Sequence, residues 1–419
     1  MSLTNTPLGR RPRYGPAEPP PRYSTRDESS ATTLEQVVGV GRLMACLESN
    51  RRGGGQAPGP DGFRYRDFGW HESARAFQGV RESVLAGTYR PPPPRLVRIP
   101  KATGGSRTLS LDDLTHRALT ASVLGAVAPL YAPHMSRMTY SAGAPLRGVS
   151  GLLADLAAAW EFGHSAVLLN LDIKGAFPSV PVGALMEVVR DCVADGPLLA
   201  LVERLVRGAD ATNTLGIPQG SALSPAHLDL YLSVGLDAPW SSPPESPPLF
   251  RYVDNLACLT CSVPEGRRTV ARCRDLLSAL CLQLRDQSEA EYLIDLRGGQ
   301  TTELLGFTVS LSNRLMQYGT TDAALELLRG RLVKAHKEPN PPVAAQSVLM
   351  GWVNSVGPSF ESSRSVETVR TVLSYARRLG FQEFSSTQIL EAWSSSYGRW
   401  NEKFLQPAME RARTRRGTP

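Results

Sequence analysis

No apolar run of membrane-spanning length occurs in this sequence. The most apolar stretch, Ala118 to Ala132, is short and is interrupted by Thr120, Ser122 and Pro129, whereas a spanning helix needs about 20 consecutive apolar residues. It reads as a buried helix, and no membrane is expected among the partners. No secretory leader is recognised, and the six cysteines show no disulfide framework, so the expected location is the reducing cytoplasm. Cys258, Cys261, Cys273 and Cys281 open with a C-x-x-C pair, but Cys258 falls in an apolar strand pattern and Cys273 in a helical one. They read as small buried residues and not as a four-thiolate zinc site. An acidic excess is also missing: 46 Lys+Arg face 39 Asp+Glu, a formal charge of +7, which suits a polyanionic partner.

What is present is a chain of 419 residues, 42% hydrophobic, enough for two or three cores. Helix-like and strand-like segments alternate irregularly, which gives a mixed α/β (α+β) class. Residues 1–33 are rich in Arg and Pro without periodicity and read as a disordered basic arm. A helical pattern runs from Leu34 to Leu47, breaks at "RRGGGQAPGPDGF", and resumes from Ser73 to Ala86. The prolines of "YRPPPPRLVRIPK" exclude a helix, and with "ATGGS" and "RTLSL" they make a hairpin with Lys101 and Arg107 near its tip. Helices are expected over 115–130, 149–161, 181–193, 198–207 and 226–236, and from about Ser312 to the end. The stretch "SAVLLNLDIKGAF" is a buried strand leading into a turn.

Two apolar strands, "LLNLDIKGAF" and "FRYVDNLACL", each carry one aspartate, Asp172 and Asp254, at a strand end or turn. Side by side, two such carboxylates repel unless divalent cations lie between them. For either alone, an ordinary turn or strand-end cap explains the residue; the pair points to a magnesium site.

In their order, "LDIKGAF", "GIPQGSALSP", "YVDN" and "LLGF" resemble the palm motifs of reverse transcriptases, above all the bacterial group II intron-like, retron-like and defence-associated kinds. The segments "APGPDG", "GTYRPPPPRLVRIPKATGGSRTL" and "LMGWVNSVGP" are similar to that family's fingers and thumb. The resemblance implies a right-hand polymerase: fingers over 34–165, an antiparallel palm sheet with helices on one face over 166–311, a helical thumb over 312–405 and a basic tail over 406–419. It makes Asp172 and Asp254 catalytic ligands of two Mg2+ ions, with Mn2+ as a substitute, and adds Ile173 through its carbonyl and Asn255. Phe177 becomes the aromatic beneath the sugar of an incoming dNTP and Gln219 its neighbour, while Lys101 and Arg107 grip the triphosphate. Gly216 and Gly220 allow close approach of the template–primer, and Arg329, Arg331, Lys334 and Lys337 follow its backbone. Trp352, Trp393, Tyr397 and Trp400 are read as thumb core.

The sequence departs from the family at three places. Asn255 stands where a second aspartate is usual, "SAGAPLRG" (141–148) replaces S-Y-G-F-R-P-G, and the lysine after the hairpin is missing from "LCLQLRDQSEAEYLI". The implied activity is RNA-directed DNA synthesis on an RNA template from a DNA or RNA primer, by a stand-alone enzyme of which phage defence is one role. Two alternatives stay open: a nucleic-acid-binding scaffold of the same fold, and a template-independent nucleotidyltransferase that builds DNA.

Overall fold

The computed structural model describes residues 33–419 except 54, 101–105, 142–147, 164, 244, 361–364 and 418–419. The arm expected over 1–33 therefore lies outside the described residues but for Thr33, and so does Lys101. Thr33 opens the first helix, α1 (Leu34–Val37), with a capping box: its hydroxyl accepts the Gln36 N–H while the Gln36 side chain takes the Thr33 N–H. Helices α2 (Val40–Gly53) and α3 (Trp70–Leu85) follow, then the antiparallel pair β1 (Arg95–Pro100) and β2 (Ser106–Leu111), α4 (Leu114–Tyr131) and α5 (Gly148–Phe162). The loop "GQAPGP" is fixed to this layer by arginines. Arg117 donates to the Gly55 and Ala57 carbonyls at 3.3 and 2.9 Å, and Arg95 to that of Pro58 at 2.7 Å.

The next stretch alternates strands and helices: β3 (Val167–Asp172), α6 (Ala176–Ser179), α7 (Val182–Cys192), α8 (Gly196–Arg207), α9 (Ser224–Leu232), α10 (Ala238–Ser241), β4 (Leu249–Tyr252), β5 (Asn255–Thr260), α11 (Val263–Ala279), α12 (Glu289–Tyr292) and β6 (Leu293–Asp295). The expected helix over 226–236 ends at Leu232, and a π turn over Ser233–Asp237 carries the chain into α10. The four strands form an antiparallel sheet in the order β4-β5-β3-β6.

The expectation of helices on one face alone does not hold, because both faces are buried. Leu169, Leu171, Leu256 and Cys258 join a core with Val123, Leu185, Leu228 and Val270, while Leu168, Phe250, Ala257 and Leu259 join another with Trp160, Phe307 and Trp400. The cause is in the sequence. Side chains of a strand alternate between faces, so the unbroken run Val167-Leu168-Leu169 makes both faces apolar.

Helices were expected from about Ser312, yet a three-stranded antiparallel sheet comes first: β7 (Thr302–Leu304), β8 (Phe307–Ser312) and β9 (Leu315–Thr320). Asn313 and Arg314, at φ +51° and +68°, form the two-residue turn between β8 and β9, and the type I′ hairpin turn requires such left-handed residues. Five helices complete the chain: α13 (Asp322–Ala335), α14 (Pro341–Ser355), α15 (Ser365–Arg378), α16 (Ser386–Trp400) and α17 (Gln406–Gly417). Trp352 and Trp393 lie in the core of these helices. Trp400 does not; its indole N–H donates to the Ser150 carbonyl at 3.0 Å and its ring meets Tyr318 edge-on at 6.2 Å. The basic tail is helical over 406–417 and packs against α5, with Arg411 2.8 Å from Asp155. No helix among the described residues is long and apolar enough to cross a membrane.

One buried histidine makes stability pH-dependent. His227 on α9 is 1% exposed, its Nε2 is 3.0 Å from the Tyr131 hydroxyl, and burial holds its pKa down to about 4. An unfolded histidine titrates near 6.5, so between those values the unfolded chain binds a proton that the native chain excludes. The contribution is complete above pH 6.5 and is lost as pH falls towards 4, in total about 3 kcal/mol. Urea unfolding at pH 7, 5.5 and 4.5 is expected to show a shallower acid loss in His227→Gln than in the wild type; equal slopes would exclude the assignment.

Candidate active site

The end of β3 and the start of β5 are brought together by register. Asp172 pairs with Asn255 across the two strands, and Tyr252 pairs with Asn255 to close the β4–β5 hairpin over Val253 and Asp254. The Ile173 N–H donates to the Asp254 carbonyl at 2.9 Å, so the strand that ends in Asp172 is bonded directly to the turn that carries Asp254. Val253, the first turn residue, has φ +56°. A β-branched side chain rarely adopts that conformation, which costs about 1–3 kcal/mol and persists only where the surroundings impose it.

The surroundings are a buried ionic cluster. Arg251, Asp229 and Asp237 are all fully buried. The guanidinium donates to Asp229 through Nη1 at 2.7 Å and to Asp237 through Nη2 at 2.7 Å, and also reaches the Ser233 hydroxyl at 3.2 Å. Ser141 donates to the Asp229 carboxylate at 2.6–2.7 Å and accepts the Val253 N–H at 3.0 Å. The two carboxylates and their hydrogen bonds hold Arg251 protonated, above its ordinary range, against the opposing effect of burial.

Asp172, Ile173, Phe177, Gln219, Asp254, Asn255 and Arg107 all line one cleft of about 1430 Å³. Phe177 follows Gly175, whose φ of +51° turns the chain sharply after β3, and its carbonyl accepts the Ile217 N–H at 2.9 Å, joining the "AFPS" turn to the "IPQG" loop. Gln219 reaches the first layer through its backbone: its carbonyl accepts the Ser110 N–H at 2.7 Å. A Cβ on Gly220, at φ +130°, would lie 2.3 Å from the Ser110 carbonyl, and one on Gly216, at φ +88°, would lie 3.0 Å from the Pro178 carbonyl. The close approaches these glycines permit are thus made to β2 and to the turn after Phe177. Arg329, Arg331, Lys334 and Lys337 are exposed on α13 and just beyond it, away from the cleft lining, and Arg329 is paired with Glu326 at 2.6 Å.

The cleft also holds groups that spacing alone did not disclose. Arg285 donates its backbone N–H to the Asp172 carbonyl at 2.7 Å and places Nη1 3.4 Å from the Asp172 carboxylate, which puts a cation at the site from within the segment that lacks the lysine. Asp112 and His116 also line the cleft; burial raises the former's pKa and lowers the latter's, and His116 Nδ1 is 2.8 Å from the Tyr89 hydroxyl. The Asn255 amide donates to the Asp254 carboxylate at 3.2 Å, a bond in place of the repulsion that a second aspartate would bring.

Residues 99–307 match the family model described as "Reverse transcriptase (RNA-dependent DNA polymerase)". The chain is a reverse-transcriptase-like protein. It is 26% identical over 192 residues to Protein YkfC of Escherichia coli, covering 43% of this chain and 49% of that protein. It is 27% identical over 160 residues to the Putative COX1/OXI3 intron 2 protein of Saccharomyces cerevisiae, 36% of this chain and 18% of that one. With the yeast intron 1 protein it shares 24% over 159 residues, 35% of this chain and 18% of that one. The match thus spans about half the length of YkfC and a smaller share of the yeast proteins. The part of this reverse-transcriptase-like chain that matches the family runs from the end of β1 to the start of β8 and contains both aspartates, Phe177, Gln219 and Arg285.

Family members generally use divalent metals. Among the described residues no group of three or more His, Cys, Asp and Glu gathers to hold a metal. What the cleft lining includes is two carboxylates, Asp172 at the end of β3 and Asp254 in the turn that leads into β5, hard oxygen donors of the type that Mg2+ and Mn2+ take. Of the four cysteines expected to be buried, Cys258 and Cys273 are, and burial pushes the Cys273 thiol up to about 12, whereas Cys261 and Cys281 are exposed.

Proposed function

We propose that this chain is an RNA-directed DNA polymerase that extends a primer with dNTPs on an RNA template. The observation that carries the reading is the convergence of Asp172 and Asp254, from adjacent antiparallel strands, on one cleft with Phe177, Gln219 and Arg107. In this reading the first layer is the fingers, the four-stranded sheet the palm and the C-terminal helices the thumb. Asp172, Asp254 and the Ile173 carbonyl hold the metal. When bound, Mg2+ acidifies the attacking primer 3′-hydroxyl and neutralises the leaving pyrophosphate.

The protein's own groups do the rest. Arg107 holds the triphosphate, a role shared in this reading with Lys101, which lies outside the described residues, and Phe177 fills the space a 2′-hydroxyl would need. Arg331, Lys334 and Lys337 follow the nucleic-acid backbone electrostatically. Arg285 balances the Asp172 charge beside the reacting groups. A scaffold without catalysis is the second reading, favoured by Asn255 in the position where the family usually has an aspartate.

Asp254→Ala and Asp172→Ala are expected to lower incorporation of labelled dNTPs by several kcal/mol of transition-state stabilisation, about a thousandfold, with little change in unfolding midpoint. A fully active Asp254→Ala protein excludes the metal reading, and a wild type that incorporates nothing with Mg2+ or Mn2+ supports the scaffold. Phe177→Val is expected to admit ribonucleotides, narrowing a dNTP preference by on the order of tenfold, because the discrimination is steric. Equal use of both nucleotide types by the wild type removes that role from Phe177. Asn255→Asp exchanges an amide donor for a carboxylate beside Asp254 and is expected to lower the Mg2+ concentration for half-maximal incorporation; an unchanged or higher requirement shows that position 255 does not stand in for a ligand.

A further inference from the structure

The hairpin turn that carries Asp254 contains a feature unfavourable in itself: Val253, β-branched, at φ +56°. Two-residue hairpin turns place glycine, asparagine or aspartate in such left-handed positions because a branched Cβ crowds the backbone there. Left to its own preferences the turn would relax, and Asp254, the next residue, would move with it.

The Ile173 N–H bond to the Asp254 carbonyl and the packing of the Val253 side chain against the core restrain the turn, and the restraint on the Val253 N–H itself can be followed atom by atom. The Val253 N–H donates to Ser141 Oγ at 3.0 Å. The Ser141 hydroxyl donates in turn to Asp229, 2.7 and 2.6 Å from the two carboxylate oxygens. Asp229 is itself fixed by Arg251 at 2.7 Å, and Arg251 by Asp237 at 2.7 Å. Arg251 stands two residues before Val253 and also lies 3.5 Å from the Val253 carbonyl. The strand carrying Arg251 is held on its other edge by backbone bonds, Tyr140 N–H to the Arg251 carbonyl and Arg251 N–H to that of Met138, both 2.8 Å. Ser141 thus sits where the 138–141 segment, the buried ions and the turn meet.

We infer that Ser141, oriented by the Asp229–Arg251–Asp237 cluster, is a positioning residue that holds Val253 in its left-handed conformation and so sets where the Asp254 carboxylate points into the cleft. Arg251 donates to one oxygen of the Asp229 carboxylate and the serine hydroxyl lies within hydrogen-bond distance of both, so Ser141 transmits the rigidity of the cluster to one backbone N–H. The catalytic consequence rests on the polymerase reading above, whereas the conformational consequence does not.

The test uses the full chain and three variants: Ser141→Ala, Ser141→Thr and the double variant Ser141→Ala/Val253→Gly. Two readouts are taken, steady-state dNTP incorporation and amide hydrogen exchange at Val253. Ser141→Ala is expected to lower kcat about ten- to a hundredfold through misplacement of a reacting group, with KM for dNTP within about twofold, and to speed exchange at Val253. Ser141→Thr, which keeps the hydroxyl, restores both. Val253→Gly restores kcat in the Ser141→Ala background, because glycine adopts the turn conformation without help; a serine acting only in general stability would not be rescued by that change. Wild-type kcat and wild-type exchange in Ser141→Ala overturn the proposal, as does a double variant no better than Ser141→Ala alone. If Ser141→Ala does not fold, recovery of the folded protein by Val253→Gly supports the link and its failure overturns it. If the wild type incorporates no nucleotide, the polymerase reading fails, and faster exchange at Val253 in Ser141→Ala still decides the positioning claim.

Discussion

The pairing of β3 with β5 fixes almost everything that follows. Side chains alternate between the faces of a sheet, so a slip of one residue would exchange the two faces of β3 and take Asp172 away from Asn255. In many sheets one buried face sets the register. Here two do, because Leu168 and Leu169 enter different cores. A polar contact adds a further check: the Asn170 amide donates to the Thr302 hydroxyl and the Glu303 carbonyl at 3.0 and 2.9 Å, an arrangement available in one register only. Two carboxylates are therefore brought together by packing at a distance from them, while Arg285 beside Asp172 and the Asn255 amide on Asp254 act on their charges directly.

The buried ions below the hairpin follow a different logic. Taking Arg251, Asp229 and Asp237 out of water is costly, and apolar side chains of similar volume often serve stability as well. A packed apolar cluster, however, has no directional bond to offer a backbone N–H. The ionic cluster has several, and it uses them on Ser141, Ser233 and the Asp229 carbonyl. In the positioning role inferred for Ser141, the cluster serves conformational definition of the turn more than stability.

How much of this was legible in the sequence depended on how local each signal was. Asp172 and Asp254 were readable because each stands at the edge of an apolar run, and Phe177 and Gln219 because they lie in short motifs of fixed order. The hairpin β8–β9 was missed although Asn313 marks its turn, since the following Arg314 is not a usual turn residue and Leu315 to Thr320 has no clean alternation. Trp400 was placed with Trp393, seven residues earlier on one helix, but the helix crosses from one core to the next between them. The serine–aspartate–arginine chain was invisible for a simple reason: Ser141 and Asp229 are 88 residues apart and Asp229 and Arg251 are 22 apart, and no periodicity links them. Arg285 was hidden because only the turn after α11 brings it back to Asp172.

The contact between Trp400 and Ser150 joins residues 250 apart, and that between Arg411 and Asp155 residues 256 apart. The core on one face of the central sheet is thus finished by side chains made long after the strands it covers. During synthesis, the core shared by α2, α4, α7 and α9 has all its parts well before Trp400 emerges, while the core on the opposite face, begun by Leu152, Leu156 and Trp160 of α5 over Leu168 of β3, Phe250 of β4 and Leu259 of β5, still lacks Trp400 and Ala408. Loop closure over such separations is slow and leaves apolar surface open meanwhile. The two sides of the same sheet are thus completed at different points along the chain, and on one of them the last pieces of the core, Trp400 and Ala408, come from its far end.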